Sequence, residues 1–202
     1  MDRAQKLFTA LVVLTIVFHY TGFCQGKRIH TGDINNFWIA YDSVQSTTDQ
    51  SKKIDFIRRL YIARGSAGLS KFIRERKFTA SEWVSVIEKY PQFWESLRKE
   101  TKSIFQSGVQ FDSIFRNFSQ LYRGFQQPSV YFTIGCLRSG GTTSSGVVLI
   151  GTEIAVAGPS VVSTELNAWL QKVFLHGQGL FYYLAHETVH TLQYGNGKTL
   201  LA

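Results

Sequence analysis

Residues 179–194 read GLFYYLAHETVHTLQY, an apolar stretch that contains the pentapeptide HETVH at positions 186–190. The spacing of its apolar residues predicts a helix. With 3.6 residues per turn, His186 and His190 lie one above the other on a single helical face. Their imidazole nitrogens can therefore converge on one tetrahedral Zn²⁺ ion.

Glu187 stands beside the first histidine and projects toward the side where an attacking water would lie. This placement favours Glu187 as the catalytic general base that takes the proton of that water. The spacing is HExxH, the signature of zinc hydrolases, and with 5 histidines in the chain it arises by chance in roughly 0.5 % of such sequences. The alternative is a helix with two core histidines, each held by a hydrogen-bond partner.

A catalytic zinc site needs three protein ligands and one open position. The metzincin pattern would place glycine at 193 and histidine at 196, but the chain has Gln193 and Asn196, which excludes that subfamily. Three upstream residues are candidates that also fit ordinary loop or surface roles: Glu153, Glu165 and His176. Because no acidic residue follows His190, we expect the sequence to be a fragment whose third ligand lies beyond Ala202.

The chain begins with a charged stretch followed by a short apolar run. Arg3 and Lys6 precede residues 7–18, which as a helix would rise about 18 Å, well short of a hydrocarbon core of roughly 30 Å. This is the form of a secretory signal peptide. We expect residues 1–26 to be removed and the protein to be exported to the periplasm, the cell envelope or the medium.

The end of this leader has two interpretations. Cleavage after Gly26 follows small residues at positions 24 and 26. A lipoprotein signal ending at Cys24 is the alternative, although bulky Phe23 stands where such sites prefer a small residue. A membrane partner is expected only through that lipid anchor. Residues 27–202 are predicted to form one zincin-like metallopeptidase domain, incomplete at its C-terminal end.

Composition excludes several classes of protein. The chain has 202 residues, of which 44 % are hydrophobic and 14 % aromatic, so it can bury a core and is not disordered. Two cysteines and no CxxC pair exclude a disulfide framework. The net charge is +8, and nine basic residues fall in one stretch: Lys52, Lys53, Arg58, Arg59, Arg64, Lys71, Arg74, Arg76 and Lys77. Such a run is typical of a solvated helix face, and we expect no nucleic-acid partner.

The first half of the mature chain, to about residue 125, has the apolar spacing of amphipathic helices and predicts a helical N-terminal layer. Asp33 is predicted to cap its first helix, and Gly65 to end another in the left-handed conformation. Thr79 and Glu82 form a capping-box pattern. Apolar residues mark a further long helix: Ile104, Phe111, Ile114, Phe115, Phe118 and Leu121.

Two strands are predicted after this layer, at residues 130–134 and 147–150, the second running on toward 153–155. The glycine-rich segment 139–146 lacks the GxxxxGK[ST] spacing of a phosphate loop and is followed by a strand, so we interpret it as a hairpin connection. The expected fold class is α+β, zincin-like of the gluzincin type, with a short antiparallel sheet and the HExxH helix.

Four parts of the chain carry a resemblance to a known family. They are residues 33–38, residues 131–135 with 137–143, residues 148–151 with 153–154, and His186-Glu187 with His190-Thr191. In these the chain resembles bacterial exported proteins with a domain of unknown function described as a predicted zinc-dependent protease, distantly similar to a gliding-motility lipoprotein. The resemblance implies a gluzincin-like fold and Glu187 as general base. It also implies zinc held by His186, His190 and an acidic residue on a following helix.

Three functions follow as hypotheses. The first is an exported zinc metallopeptidase-like protein that hydrolyses peptide bonds in a peptide or protein substrate. The second is a non-catalytic cell-envelope protein that keeps the zincin fold. The third is a binder of anionic polymers, for which the basic run between Lys52 and Lys77 is the only motivation.

Overall fold

The fold is known from a computed structural model, which describes residues 28–106, 108–175 and 179–194. The predicted signal peptide 1–26 and the candidate ligand His176 lie outside these residues. Within them, no helix combines the length and the apolar character needed to cross a membrane. The described chain is α+β, as predicted, with helices packed around a mixed sheet. Its zincin-like character stays a prediction.

The described chain contains four strands and nine α-helices. The strands are β1 (Ile29–His30), β2 (Ser129–Thr133), β3 (Gly141–Ser144) and β4 (Val147–Gly151). The helices are α1 (Gly32–Gln45), α2 (Gln50–Phe56), α3 (Ala67–Arg76), α4 (Ala80–Lys89), α5 (Pro91–Ser103), α6 (Gly108–Leu121), α7 (Thr152–Ala155), α8 (Ala168–Leu175) and α9 (Gly179–Tyr194). A π-helical stretch, Ile57–Ile62, continues α2, and a 3-10 turn, Ile104–Gln106, follows α5.

The sheet has the order β1-β2-β4-β3 and is mixed, so the predicted antiparallel sheet was wrong in part. β2 runs parallel to β1 and to β4, and only β3 is antiparallel to its neighbour β4. The segment 139–146 is therefore not the hairpin connection between β2 and β4 that was predicted: it contains β3 itself and the turn that joins β3 to β4. Its two turn residues, Ser145 and Gly146, have φ of 48° and 73°, as a two-residue turn matched to the strand twist requires.

The strand β4 does not run on toward residue 155, as predicted, but ends at Gly151, where α7 begins. A Cβ at Gly151 would lie 2.0 Å from the carbonyl oxygen of Ser139, so only glycine permits this approach of two backbones. The turn of α7 brings Glu153 inward, where its carboxylate accepts hydrogen bonds from the backbone N–H of Gly135 (2.8 Å) and Leu137 (3.2 Å).

Asp33 does not cap its helix, contrary to the prediction. It lies in the first turn of α1, and its carboxylate accepts hydrogen bonds from the backbone N–H (2.8 Å) and the hydroxyl (2.5 Å) of Ser66. The contact ties α1 to the N-cap of α3. Gly65 is not left-handed either. A Cβ there would lie 2.5 Å from Cδ2 of Leu69, so glycine serves close packing rather than a helix stop.

Of the two hydrogen bonds of the predicted capping box at the start of α4, one is confirmed. The Thr79 hydroxyl accepts the backbone N–H of Glu82 at 3.2 Å. The carboxylate of Glu82 does not return to the cap, however, because it pairs with Arg138 at 2.5 Å. The predicted long helix after residue 104 begins only with α6, and Leu121 at its end is 86 % exposed.

An aromatic core joins the helical layer to the sheet. Its largest fully buried side chains include Trp83, Trp94, Tyr61, Phe37, Phe72, Phe93, Phe111 and Phe132. The Tyr61 hydroxyl donates to the carbonyl of Ile134 (2.7 Å) and accepts its N–H (2.8 Å), and the Trp83 indole donates to the same carbonyl at 3.2 Å. The end of β2 is thus fixed by two ring side chains of the helical layer.

The helix α9 packs on the sheet beside its edge strand. It contacts β3 and β4, while α3 contacts β2, β3 and β4. Side chains alternate along β3, so Thr143 faces α9 and Ser144 bonds to Glu75 of α3 at 2.7 Å. This arrangement places the HExxH residues against a strand whose outer edge carries no further strand among the described residues.

Candidate metal centre

The two histidines of the motif meet on the surface of α9. Nε2 of His186 lies 3.2 Å from Nε2 of His190, and the ring centroids are 4.8 Å apart. Two nitrogens bound tetrahedrally to zinc at 2.0–2.1 Å would be separated by about 3.3 Å. The observed separation therefore fits two ligands of one zinc ion, as the sequence predicts.

Each histidine ring has a neighbour of its own. Nδ1 of His190 lies 2.6 Å from Oε1 of Gln193, one turn further along the helix. The ring of His186 stacks on Tyr182, with centroids 5.8 Å apart. His186 is exposed and His190 is half-buried, so the pair opens to solvent on one side.

Glu187 lies in the contact between α9 and β3 and is only 7 % exposed. The Thr143 hydroxyl donates to the main-chain carbonyl of Glu187 at 2.9 Å and lies 3.4 Å from its Oε2. A Cβ at Gly141 would lie 2.7 Å from Cγ of Glu187. The edge strand therefore leaves room for this carboxylate only because position 141 has no side chain.

Burial raises the pKa of Glu187 above its ordinary value. The two histidines, the Thr143 hydrogen bond and the charge of Arg76 act in the opposite direction and offset part of this rise. A carboxylate whose pKa is moved toward neutrality is a better match for accepting and returning a proton near pH 7.

Arg76 and Ser139 hold the edge strand where it meets Glu187. Nη2 of Arg76, the last residue of α3, donates to the carbonyl of Gly141 at 3.0 Å, and the Ser139 hydroxyl donates to the same oxygen at 2.7 Å. Arg76 belongs to the basic run that the sequence assigns to a solvated face. In the fold it is partly buried and fixes the strand beside the motif.

The hydrogen-bond register of β3 determines which of its backbone groups face outward. Gly151 N donates to Gly140 O at 3.1 Å, and Thr142 lies opposite Leu149. Since bonded and outward positions alternate along an antiparallel strand, the N–H and C=O groups of Gly141 and Thr143 point to the free edge. An extended chain beside this edge would meet main-chain donors and acceptors next to Glu187.

Two of the three upstream candidates for the third ligand, Glu153 and Glu165, have other partners. Glu153 is fully buried, its pKa is raised to about 7 by burial, and it binds the backbone of residues 135–137. Oε2 of Glu165 accepts the backbone N–H of Phe93 at 2.9 Å. Among the described residues, no three His, Cys, Asp or Glu side chains stand together so as to hold a metal. The third ligand stays a prediction.

Sequence reasoning found the three motif residues but missed those that surround them. Gln193 lies three residues after His190, a spacing that by itself predicts a contact on one helical face. Gly141 and Thr143 share one side of a strand, but that strand was interpreted as a loop. Nothing in the sequence pairs them with a glutamate more than 40 positions later, because tertiary packing alone makes that contact.

Comparison of the chain with protein-family models, with curated proteins and with solved structures finds no match. The resemblance to exported predicted zinc proteases therefore stays a prediction.

Proposed function

We propose that the protein is an exported zinc metallopeptidase-like hydrolase of peptide bonds. The observation that carries the proposal is the convergence of His186 Nε2 and His190 Nε2 at 3.2 Å beside a buried Glu187. Two histidines on a solvent-exposed face with nitrogens at this separation suit a shared cation better than a structural role. Export is supported by the charged and apolar leader of the sequence.

The donor set fits zinc. His186 and His190 would hold the ion, together with a third ligand from outside the described residues. Zinc, when bound, supplies a Lewis acid that polarises a peptide carbonyl and makes water more acidic. Neutral imidazole nitrogens are common ligands of this metal, which supports the choice of zinc over a hard cation such as magnesium.

Glu187 is proposed as the general base. Its carboxylate would take a proton from the attacking water and return it to the amine of the leaving peptide. Thr143 holds the main chain of Glu187, and burial against Gly141 keeps the carboxylate from swinging into solvent. The pKa of Glu187, raised by burial, makes this carboxylate a stronger base toward the proton of the attacking water.

The edge of β3 supports a peptide as the substrate. An extended peptide that lies along this edge would pair with the outward N–H and C=O of Thr143 and with the N–H of Gly141. The outward carbonyl of Gly141 is already occupied by Arg76 and Ser139. A substrate backbone would therefore be held chiefly at Thr143, close to the carboxylate of Glu187.

One observation favours the second candidate, a cell-envelope protein with the same site but no catalysis. Among the described residues, only two groups converge as metal ligands, whereas a catalytic zinc needs three. Such a protein would bind metal weakly and cleave nothing.

The test is metal analysis and peptide digestion with the full chain and three variants. His186→Ala should lose zinc, while Glu187→Gln should keep zinc and lose hydrolysis by about 10²–10⁴-fold. Glu75→Gln, which alters a carboxylate on the opposite side of β3, is the matched control and should do neither. Zinc bound equally well after His186→Ala would overturn the proposal. Zinc binding without cleavage of any peptide in a broad library would favour the non-catalytic candidate.

A further inference from the structure

We propose that Gln193 is a positioning residue that fixes the tautomer and the ring orientation of His190. The inference rests on the proposed function in one respect, the assignment of His190 as a metal ligand. It is carried by a separate observation, the 2.6 Å contact between Nδ1 of His190 and Oε1 of Gln193.

The chemistry of the two groups sets the direction of this hydrogen bond. An amide oxygen can only accept, so Nδ1 of His190 carries the proton. In a neutral imidazole the other nitrogen is then unprotonated, and the lone pair of Nε2 is free to bind a metal. Gln193 thus holds His190 in the tautomer that ligation through Nε2 needs.

The same reasoning gives the two histidines different roles. Nε2 of His190 lies 3.2 Å from Nε2 of His186, and a hydrogen bond between them requires one proton. Because His190 Nε2 has none, His186 Nε2 is the donor in the metal-free protein. His186 must therefore move its proton from Nε2 to Nδ1 when a cation binds. Its described neighbour is the stacked ring of Tyr182, which leaves that exchange unopposed.

Position and spacing agree with this role. Gln193 follows His190 by three residues, so the two side chains occupy one face of α9 in adjacent turns. Both are half-buried, which shields the hydrogen bond from competing water. Partners of this kind, which hold the second nitrogen of a ligating histidine, typically affect metal affinity by about 10–100-fold.

The competing explanation is a surface contact with no influence on the ligand. Three substitutions in the full chain separate the two explanations. Gln193→Met keeps the length of the side chain but removes the acceptor, and Gln193→Glu restores an acceptor as a carboxylate. Thr191→Ala is the matched control, because Thr191 lies on the same helix and its described hydrogen bond goes to the carbonyl of Thr188, not to a histidine.

The first readout needs no metal. Long-range ¹H–¹⁵N spectra of the metal-free protein should show His190 as the Nδ1–H tautomer and His186 as the Nε2–H tautomer. Gln193→Met should convert His190 to a mixture of tautomers, while Gln193→Glu and Thr191→Ala should retain the wild-type form. An unchanged His190 tautomer in Gln193→Met overturns the proposal.

The second readout is zinc affinity, measured by competition with a chelator. Gln193→Met should weaken binding by about 10–100-fold, and Gln193→Glu should restore it to within a few-fold of the wild-type value. Equal losses in Gln193→Met and Thr191→Ala would overturn the positioning role. Zinc binding without hydrolysis defeats the proposed peptidase and leaves the role of Gln193 intact. If the wild-type protein binds no zinc, the His190 tautomer in the spectra of the metal-free variants alone tests the role of Gln193.

Discussion

The helical layer and the contact between α9 and β3 are built from opposite kinds of side chain. The layer buries tryptophan, tyrosine and phenylalanine rings that contact one another, several of them edge to face, such as Tyr61 on Trp83 with centroids 5.3 Å apart. The α9–β3 contact joins a carboxylate, a hydroxyl and a glycine, with two imidazoles on its outer side.

Stability and chemistry therefore reside in different parts of the molecule. Aromatic rings bury large apolar areas and dominate the free energy of folding. Buried carboxylates cost free energy unless hydrogen bonds compensate for the lost water, and they are kept where chemistry needs them. We therefore expect substitutions in the layer to affect stability, and substitutions among the exposed motif residues to affect metal binding and activity instead.

The largest expected effect on stability is at Trp83. It is fully buried, contacts Tyr61 and donates to the carbonyl of Ile134, so Trp83→Ala should lower the free energy of unfolding by about 3–5 kcal/mol. Urea denaturation measures this. The matched control is Trp169→Ala on α8, where the side chain is 59 % exposed and the loss should stay within about 0.5 kcal/mol. Similar losses in both variants would contradict the conclusion that the buried aromatic side chains of the helical layer stabilise the fold.

The pH dependence of stability comes next in size. Burial raises the pKa of Glu153 from its ordinary 4.5 to about 7, so the folded protein keeps this proton where the unfolded chain has lost it. The resulting stability is complete below about pH 4.5, and it is lost as the pH rises through about 7, a total of about 3 kcal/mol.

Thermal or urea unfolding between pH 4.5 and 8 tests this sign. Glu153→Gln should remove the part of this pH dependence of the free energy of unfolding that Glu153 contributes. A smaller slope remains from Asp33 and Glu187, whose pKa values burial also raises. If the stability of the wild-type protein rises with pH across this window, the hydrogen bonds from Gly135 and Leu137 lower the pKa of Glu153 by more than burial raises it.

Gly141→Ala should lower the free energy of unfolding through overpacking at the candidate site. The new Cβ would meet Cγ of Glu187 at 2.7 Å, and overpacking of this kind costs about 1–3 kcal/mol. Hydrolysis should fall as well, because the base is displaced. Gly158→Ala is the matched control, since its Cβ would contact nothing within 4 Å. Equal stability of the two variants, measured by urea denaturation, would mean that β3 does not press on Glu187.

The smallest expected effect on stability is that of His186→Ala. His186 is exposed, and its described contacts are to His190 and Tyr182, so the free energy of unfolding of the metal-free protein should change by less than about 0.5 kcal/mol. The same variant should lose metal binding. A large loss of stability without metal would identify His186 as a structural residue and remove the contrast between the two regions.

The parts of the fold that were predictable are those with a local cause. The α+β class, the capping of α4 by Thr79 and the strands β2 and β4 follow from short-range periodicity and capping chemistry. The sheet was not predictable to the same degree. β2 and β4 pair in parallel because the chain first crosses to the outer edge of the sheet as β3 and then turns back as β4, which lies between β3 and β2.

Asp33 illustrates the same limit within the helical layer. Its position at the start of a helix predicts a cap, but its carboxylate bonds to Ser66 at the N-cap of another helix. A short polar side chain can satisfy either partner, and only the packing of α1 against α3 selects one of them.

The placement of His186 and His190 on one helical face, with Glu187 between them in sequence, can be read from five residues alone, because the helical repeat of 3.6 residues sets it. The burial of Glu187 against Gly141 and Thr143, and the bond by which Arg76 holds the strand beside it, come from tertiary packing. These contacts join residues that are 44 or more positions apart. No local preference encodes them, since they exist only once the sheet and the helices have packed together.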